Sequence, residues 1–125
     1  MKDCLVSLKN WGADPELAIE RVDGDREFYK KMLENLAGNG DMERLETLLQ
    51  NKNYPDALRF AHSLKGASFN LSLLPLAQAF ASMVECLRPG SGGPPDTDDL
   101  DKVWTELDRV WGQFVLISAL PLGNV

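Results

Sequence analysis

Apolar side chains recur every three or four positions along most of the chain, which is the spacing of amphipathic helices. No segment shows the strict alternation of apolar and polar residues that is typical of a half-buried strand. The clearest stripe comprises Leu100, Val103, Trp104, Leu107, Val110, Trp111, Phe114 and Ile117. The pattern predicts an all-α protein, an antiparallel four-helix bundle with a short additional N-terminal helix.

Capping and turn residues set the boundaries of the first helices. Asp14 followed by Pro15 is typical of a helix start, and a short helix is predicted from there to about Val22. Gly24-Asp25 precedes the second helix. Residues 38–40 interrupt the apolar pattern, so that the chain on either side fits two helices or one broken helix.

Two prolines mark the starts of the next helices. Pro55 begins a helix that is predicted to run to about Asn70, and Pro75 begins another after a tight turn at residues 72–74. The short connection predicts an antiparallel hairpin of helices. Residues 89–96 are rich in glycine and proline and predict a flexible loop before the last helix.

Length and charge limit the possible functions. The 125 residues fit one domain, 1–125, with residues 1–12 as a loosely docked N-terminal arm. A net charge of -6 argues against binding to nucleic acid or to an anionic membrane surface. The longest apolar run, residues 114–122, is too short to span a bilayer. Cys4 and Cys86 are far apart and predict reduced thiols. We expect a soluble, cytoplasmic monomer, and the starting methionine favours a free-standing protein.

The only histidine, His62, lies in the predicted helix that begins at Pro55. At about 100° per residue, His62 points roughly 130 to 150° away from the mean direction of the apolar stripe on this helix. The stripe comprises Ala57, Phe60, Ala61, Leu64, Ser68 and Leu71. A lone histidine is more often a satisfied core residue, but the direction of the stripe predicts that His62 is exposed.

An exposed imidazole can act in acid–base chemistry, bind a metal ion, or carry a group covalently. The neighbours of His62 at helical spacing include cations, Lys65 and Arg59, and no second metal ligand, which disfavours the first two uses. Covalent carriage of a phosphoryl group fits better, because Lys65 can bind phosphate oxygens. Gly66 costs a helix interior about 1 kcal/mol relative to alanine, and it leaves room for a partner. Arg59 is either a second phosphate-binding cation or an ordinary solvated arginine.

The segment from Ala61 to Leu71, AHSLKGASFNL, resembles the signature of the histidine-containing phosphotransfer (HPt) domain of two-component signalling. The resemblance extends over most of residues 14–87. It implies a phosphocarrier without kinase activity, in which His62 accepts a phosphoryl group from the aspartate of one receiver domain and passes it to another. It further implies receiver domains and a hybrid sensor histidine kinase as partners, and Mg²⁺ on the receiver rather than a cofactor or metal of this chain.

The resemblance also assigns roles to other residues. His62 is the nucleophile, Lys65 steadies the phosphate, and Gly66 keeps the access open. The family uses apolar residues beyond the histidine to dock a receiver, and Phe69 and Leu73 are the candidates. Packing at the end of the bundle explains those two residues equally well.

The sequence departs from the family pattern at two positions. Ser72 stands where the family commonly has glycine. Val84 stands where many members carry a polar residue that hydrogen-bonds the histidine ring, and neither Gln78 nor Glu85 can be assigned that role. Two other functions fit the sequence: the phosphoryl-accepting domain used by a separate chemotaxis-type kinase, or a helical adaptor that binds receivers without carrying phosphate.

Overall fold

The computed structural model describes residues 3–89 and 94–123. Within these ranges the chain forms seven α-helices and no strand. They are α1 (Cys4–Trp11), α2 (Pro15–Arg21), α3 (Arg26–Gly38), α4 (Asp41–Gln50), α5 (Tyr54–Asn70), α6 (Leu74–Leu87) and α7 (Thr97–Ser118). The predicted all-α class is confirmed, and residues 90–93 of the predicted loop lie outside the described residues.

The three longest helices form most of the bundle. α6 packs between α5 and α7, while α4 contacts α5 and α3 contacts α7. α3 and α4 together therefore form the fourth side of the bundle. They are separate helices because Gly40, between them, has a left-handed φ of 73°. The largest fully buried side chains, Tyr29, Phe80 and Phe114, come from α3, α6 and α7.

Side chains and prolines begin the helices as the sequence predicts. The carboxylate of Asp14 accepts a hydrogen bond from the backbone N–H of Leu17, and that of Asp25 accepts one from Phe28. Pro55 and Pro75 lie in the first turns of α5 and α6. These residues therefore set the first residue of each of the four helices.

The prediction of a loosely docked arm is wrong for residues 4–11. They form α1, in which Cys4, Leu5 and Leu8 are buried. Asp3 begins the helix by accepting a 2.8 Å hydrogen bond from the N–H of Val6. Eight residues show too little apolar periodicity to predict this helix, whose stability comes from burial against the rest of the fold.

The end of α1 is held by α7. The indole Nε1 of Trp11 donates a 2.9 Å hydrogen bond to Oε1 of Gln113, and the Trp11 ring lies 6.3 Å from that of Phe114. Phe114 also meets Trp111 edge-on at 5.4 Å. This aromatic cluster joins the N-terminal helix to the core of the bundle.

The turn between α5 and α6 contains a residue in the left-handed conformation that is a serine and not a glycine. Ser72 has φ of 57°. Its N–H bonds the carbonyl oxygen of Phe69, and the N–H of Leu73 bonds that of Ser68, both at 2.9 Å. This is the Schellman pattern of helix termination. The turn is thus preserved in spite of the serine, and it sets which residues of α5 and α6 lie side by side.

No helix in the described part of the chain is long and apolar enough to cross a membrane.

Candidate functional site

His62 lies on the solvent-facing side of α5. The opposite side of the helix buries Ala57, Ala61, Leu64 and Ser68 against the bundle. The imidazole is exposed, as the direction of the apolar stripe predicts. It is therefore accessible to another molecule without any opening of the core.

An open groove of about 550 Å³ runs beside His62, between α5 and the end of α6. The residues that line it are Leu58, Arg59, His62, Ser63, Val84, Arg88 and Pro89. Two arginines face the groove, and none of the described residues that line it carries a carboxylate. Such a surface favours an anion next to the imidazole.

Each arginine of the groove is paired with the carboxylate three residues before it on the chain. Arg59 forms an ion pair with Asp56, and Nε of Arg88 lies 3.0 Å from Oε1 of Glu85. A hydrogen bond from Asn53 and the nearby Arg59 guanidinium lower the pKa of Asp56. All four paired side chains are about half exposed or more.

Sequence reasoning missed Arg88. A signal was available, because residues at equal distances from the turn of a helical hairpin lie side by side. Counting eleven residues outward from Leu73 in both directions pairs His62 with Val84, and Arg88 follows one turn later. The groove confirms that all three share one surface.

Lys65 and Gly66 lie on the next turn of α5. Lys65 is half-buried and forms no ion pair with any residue that the structure describes. Gly66 is exposed, and a Cβ atom placed on it would meet nothing within 4 Å. Packing within this chain therefore does not explain the glycine, which leaves a flat, open surface beside the imidazole.

An apolar surface lies at the end of α5 beyond Gly66. Phe69 is 57% exposed and lies seven residues after His62, on the same side of the helix. Nη1 of Arg21 donates a 2.9 Å hydrogen bond to the carbonyl oxygen of Asn70, which fixes α2 against this end of α5. Leu17, one turn before Arg21, is 42% exposed. We call Phe69 and Leu17, the exposed apolar residues on the two helices that Arg21 joins, the apolar end patch.

The expectation that Leu73 belongs to a docking surface is wrong. Its side chain is fully buried, because the Schellman turn directs the residue after Ser72 into the core. The neighbouring Leu74 is 39% exposed instead. Leu73 therefore packs the end of the bundle, and Phe69 is the predicted docking residue that is accessible.

The model of the Hpt domain family matches residues 26–113, which is more than half of the chain. The chain belongs to the Hpt domain family. The matched residues include α3 to α6 and all of the groove around His62, while α1 and α2 precede the match. Searches of curated proteins and of solved structures gave no match.

The match to the Hpt family model includes the segment around His62 and confirms the resemblance that this segment shows to the HPt signature. Hpt domains are phosphocarrier modules of two-component signalling, without kinase activity of their own, and they interact with receiver domains and histidine kinases. In this Hpt domain the exposed imidazole of His62 shares its groove with Arg59 and Arg88.

The ring of His62 is positioned in this Hpt domain without a polar residue from α6. Val84, which is 1% exposed, lies in the groove beside it. Gln78 lines a different groove, between α6 and α7, and Glu85 pairs with Arg88. Among the described residues no hydrogen bond reaches the imidazole. The apolar side chain of Val84, which lines the same groove, stands in the place of the expected hydrogen-bond partner.

The described parts of the chain hold no group of three or more His, Cys, Asp or Glu side chains that could bind a metal ion. Cys4 is buried and Cys86 half-buried, and both are free thiols. Burial raises the pKa of the Cys4 thiol. Neither cysteine lines the groove beside His62.

Proposed function

We propose that this Hpt domain accepts a phosphoryl group on His62 from the aspartate of one receiver domain and passes it to another receiver. It acts as a monomeric cytoplasmic carrier between a hybrid sensor histidine kinase and a response regulator. The observation that carries the proposal is the exposed His62 in an open groove with Arg59 and Arg88. Mg²⁺ and most of the transition-state stabilisation come from the receiver.

The transfer exchanges one bond to phosphorus for another. The unprotonated Nε2 of His62 attacks the phosphorus atom, the P–O bond to the receiver aspartate breaks, and the aspartate leaves as a carboxylate. The second ring nitrogen keeps its proton during the attack. The reverse reaction on a second receiver restores the free imidazole, so the protein needs no cofactor of its own.

The cations of the site stabilise the transferred group. Lys65 has no carboxylate partner among the described residues, so its ammonium is available to the phosphate oxygens. Arg59 and Arg88 face the same groove as the imidazole. A charge-assisted hydrogen bond contributes roughly 1.5–3 kcal/mol before the discount for solvent exposure.

Transfer from a phosphorylated receiver tests the proposal. We expect acid-labile, alkali-stable phosphate on the protein within minutes of mixing it with a receiver charged by acetyl phosphate. Labelling by an ATP-bound kinase alone, with none from any receiver, would instead assign the protein to the chemotaxis-type function. Tight receiver binding without phosphate on the protein would identify it as an adaptor.

Gly66→Ala is expected to stabilise the protein and to slow its reaction. The added methyl group meets nothing within 4 Å, so helix propensity raises the free energy of unfolding by about 0.5–1 kcal/mol. The same methyl group intrudes between His62 and the receiver, and we expect transfer to slow by about tenfold or more. Urea unfolding and rapid-quench transfer kinetics measure the two effects.

Gly112→Ala is the matched control for Gly66→Ala. Gly112 is an exposed glycine inside α7, and a Cβ atom there also meets nothing within 4 Å. It is expected to give the same stabilisation with an unchanged transfer rate. Equal transfer rates in both variants would contradict the role of Gly66 in access.

Phe69→Ala is expected to weaken receiver binding. As part of the apolar end patch, the ring is 57% exposed in the free protein and is proposed to be covered by the receiver. Its truncation is expected to raise the Kd by roughly 5- to 30-fold, which corresponds to 1–2 kcal/mol. Leu116→Ala, an exposed apolar residue on α7, provides the control, and calorimetric titration measures both. A Kd that is unchanged by Phe69→Ala would exclude the patch from the interface.

A further inference from the structure

Both arginines of the groove beside His62 already form ion pairs with carboxylates of this chain. Arg59 is paired with Asp56, and Arg88 with Glu85. Each carboxylate lies three residues before its arginine in the chain and outside the lining of the groove. In the unphosphorylated protein, therefore, both guanidinium groups already have a carboxylate partner.

These pairs are weak enough to exchange. The side chains of Arg88 and Glu85 are 57% and 71% exposed, and those of Arg59 and Asp56 are 72% and 48% exposed. Ion pairs this exposed are worth little in water. A phosphoryl group carries a charge of about −1.5 to −2 at neutral pH and has three acceptor oxygens, so it competes well for a guanidinium.

We propose that phosphorylation of His62 exchanges the partners of Arg59 and Arg88, from Asp56 and Glu85 to the phosphoryl oxygens, and that discharge reverses the exchange. This inference rests on the proposed function and adds regulation to the same site. Asp56 and Glu85 are positioning residues that limit how strongly the phosphorylated state is stabilised. They keep the carrier from holding the phosphoryl group too tightly to pass it on.

The exchange predicts opposite effects for the two members of a pair. Glu85→Gln leaves Arg88 free for the phosphoryl group, and we expect the equilibrium with a phosphorylated receiver to shift about two- to fivefold toward the phosphorylated Hpt domain. Arg88→Gln is expected to shift the same equilibrium in the other direction. Asp56→Asn and Arg59→Gln form the second pair of variants.

The double variant Glu85→Gln/Arg88→Gln distinguishes an exchange of arginine partners from direct repulsion between Glu85 and the phosphate. Neutralising any carboxylate near His62 reduces repulsion of the phosphate, whatever its partner. If Glu85 acts through Arg88, the effect of Glu85→Gln disappears in the Arg88→Gln background. The same shift in both backgrounds would mean direct repulsion and would overturn the proposal.

A second measurement does not depend on any receiver. Phosphoramidate is a small phosphodonor that is used to place the phosphoryl group on the protein chemically, and ¹⁵N NMR then follows the Nε–H signals of Arg59 and Arg88. We expect both signals to move on phosphorylation, and the Glu85→Gln variant to show an altered Arg88 signal before it. Unchanged arginine signals in the phosphorylated protein would overturn the exchange, whereas failure of receiver transfer alone would overturn only the proposed function.

Discussion

His62→Gln is expected to abolish labelling of the protein by a phosphorylated receiver, down to the background of the assay. Glutamine keeps a polar side chain of similar length but offers no nucleophilic ring nitrogen, so no N–P bond can form. Because His62 is exposed, the free energy of unfolding is expected to stay within about 0.5 kcal/mol of the original value. Phosphate labelling and urea unfolding of the same preparation measure both quantities.

A control substitution at an exposed residue that does not line the groove tests whether the loss of labelling is specific to His62. Lys102→Gln on α7 changes another exposed side chain to glutamine, outside the groove. We expect full labelling of that variant. Acid-labile phosphate that persists on the His62→Gln protein would disprove the proposed acceptor.

Phe114→Ala is expected to lower the free energy of unfolding by about 3–5 kcal/mol. The ring is fully buried, and it packs between Trp11 of α1 and Trp111 of its own helix. Its removal leaves a cavity where the N-terminal helix meets the bundle. Urea denaturation followed by far-UV circular dichroism gives the free energy, and tryptophan fluorescence reports on the cluster.

Phe69→Ala is the matched control, because the same ring is removed from an exposed position on α5. We expect it to change the free energy of unfolding by less than about 0.5 kcal/mol. The two variants are therefore expected to be opposite in kind: one loses stability, and the other loses receiver binding. Similar losses of stability in both would contradict the burial of Phe114 or the exposure of Phe69.

The sequence predicted the bundle because its signals are local. Asp14, Asp25, Pro55 and Pro75 begin helices by satisfying or removing N–H groups of the first turn, whatever surrounds them. The apolar stripe of α5 likewise needed only helical geometry to place His62 on the outside. The resemblance of the segment around His62 then supplied the family, which the family model confirms.

Two predictions were wrong because the apolar pattern alone did not show which residues are buried. α1 is stabilised by burial of Cys4, Leu5 and Leu8, and its own short sequence gave no clear periodicity. Leu73 has the same apolar character as its neighbour Leu74, and only the backbone of the turn decides that it is the buried one of the two.

For α5, the helix that carries His62, the sequence determined some features of the site and the tertiary structure determined others. The sequence by itself determined that His62 is exposed on a helix, with Lys65 and Gly66 one turn away, because a single helix fixes those relations through its periodicity. The tertiary structure decided which side chains across from it share its groove. The packing of α6 against α5 brings Val84 and Arg88 to the imidazole, and it leaves Gln78 in another groove and Glu85 paired with Arg88. That arrangement depends on how two helices meet after the turn at Ser72, which is a property of the packed bundle rather than of either segment alone.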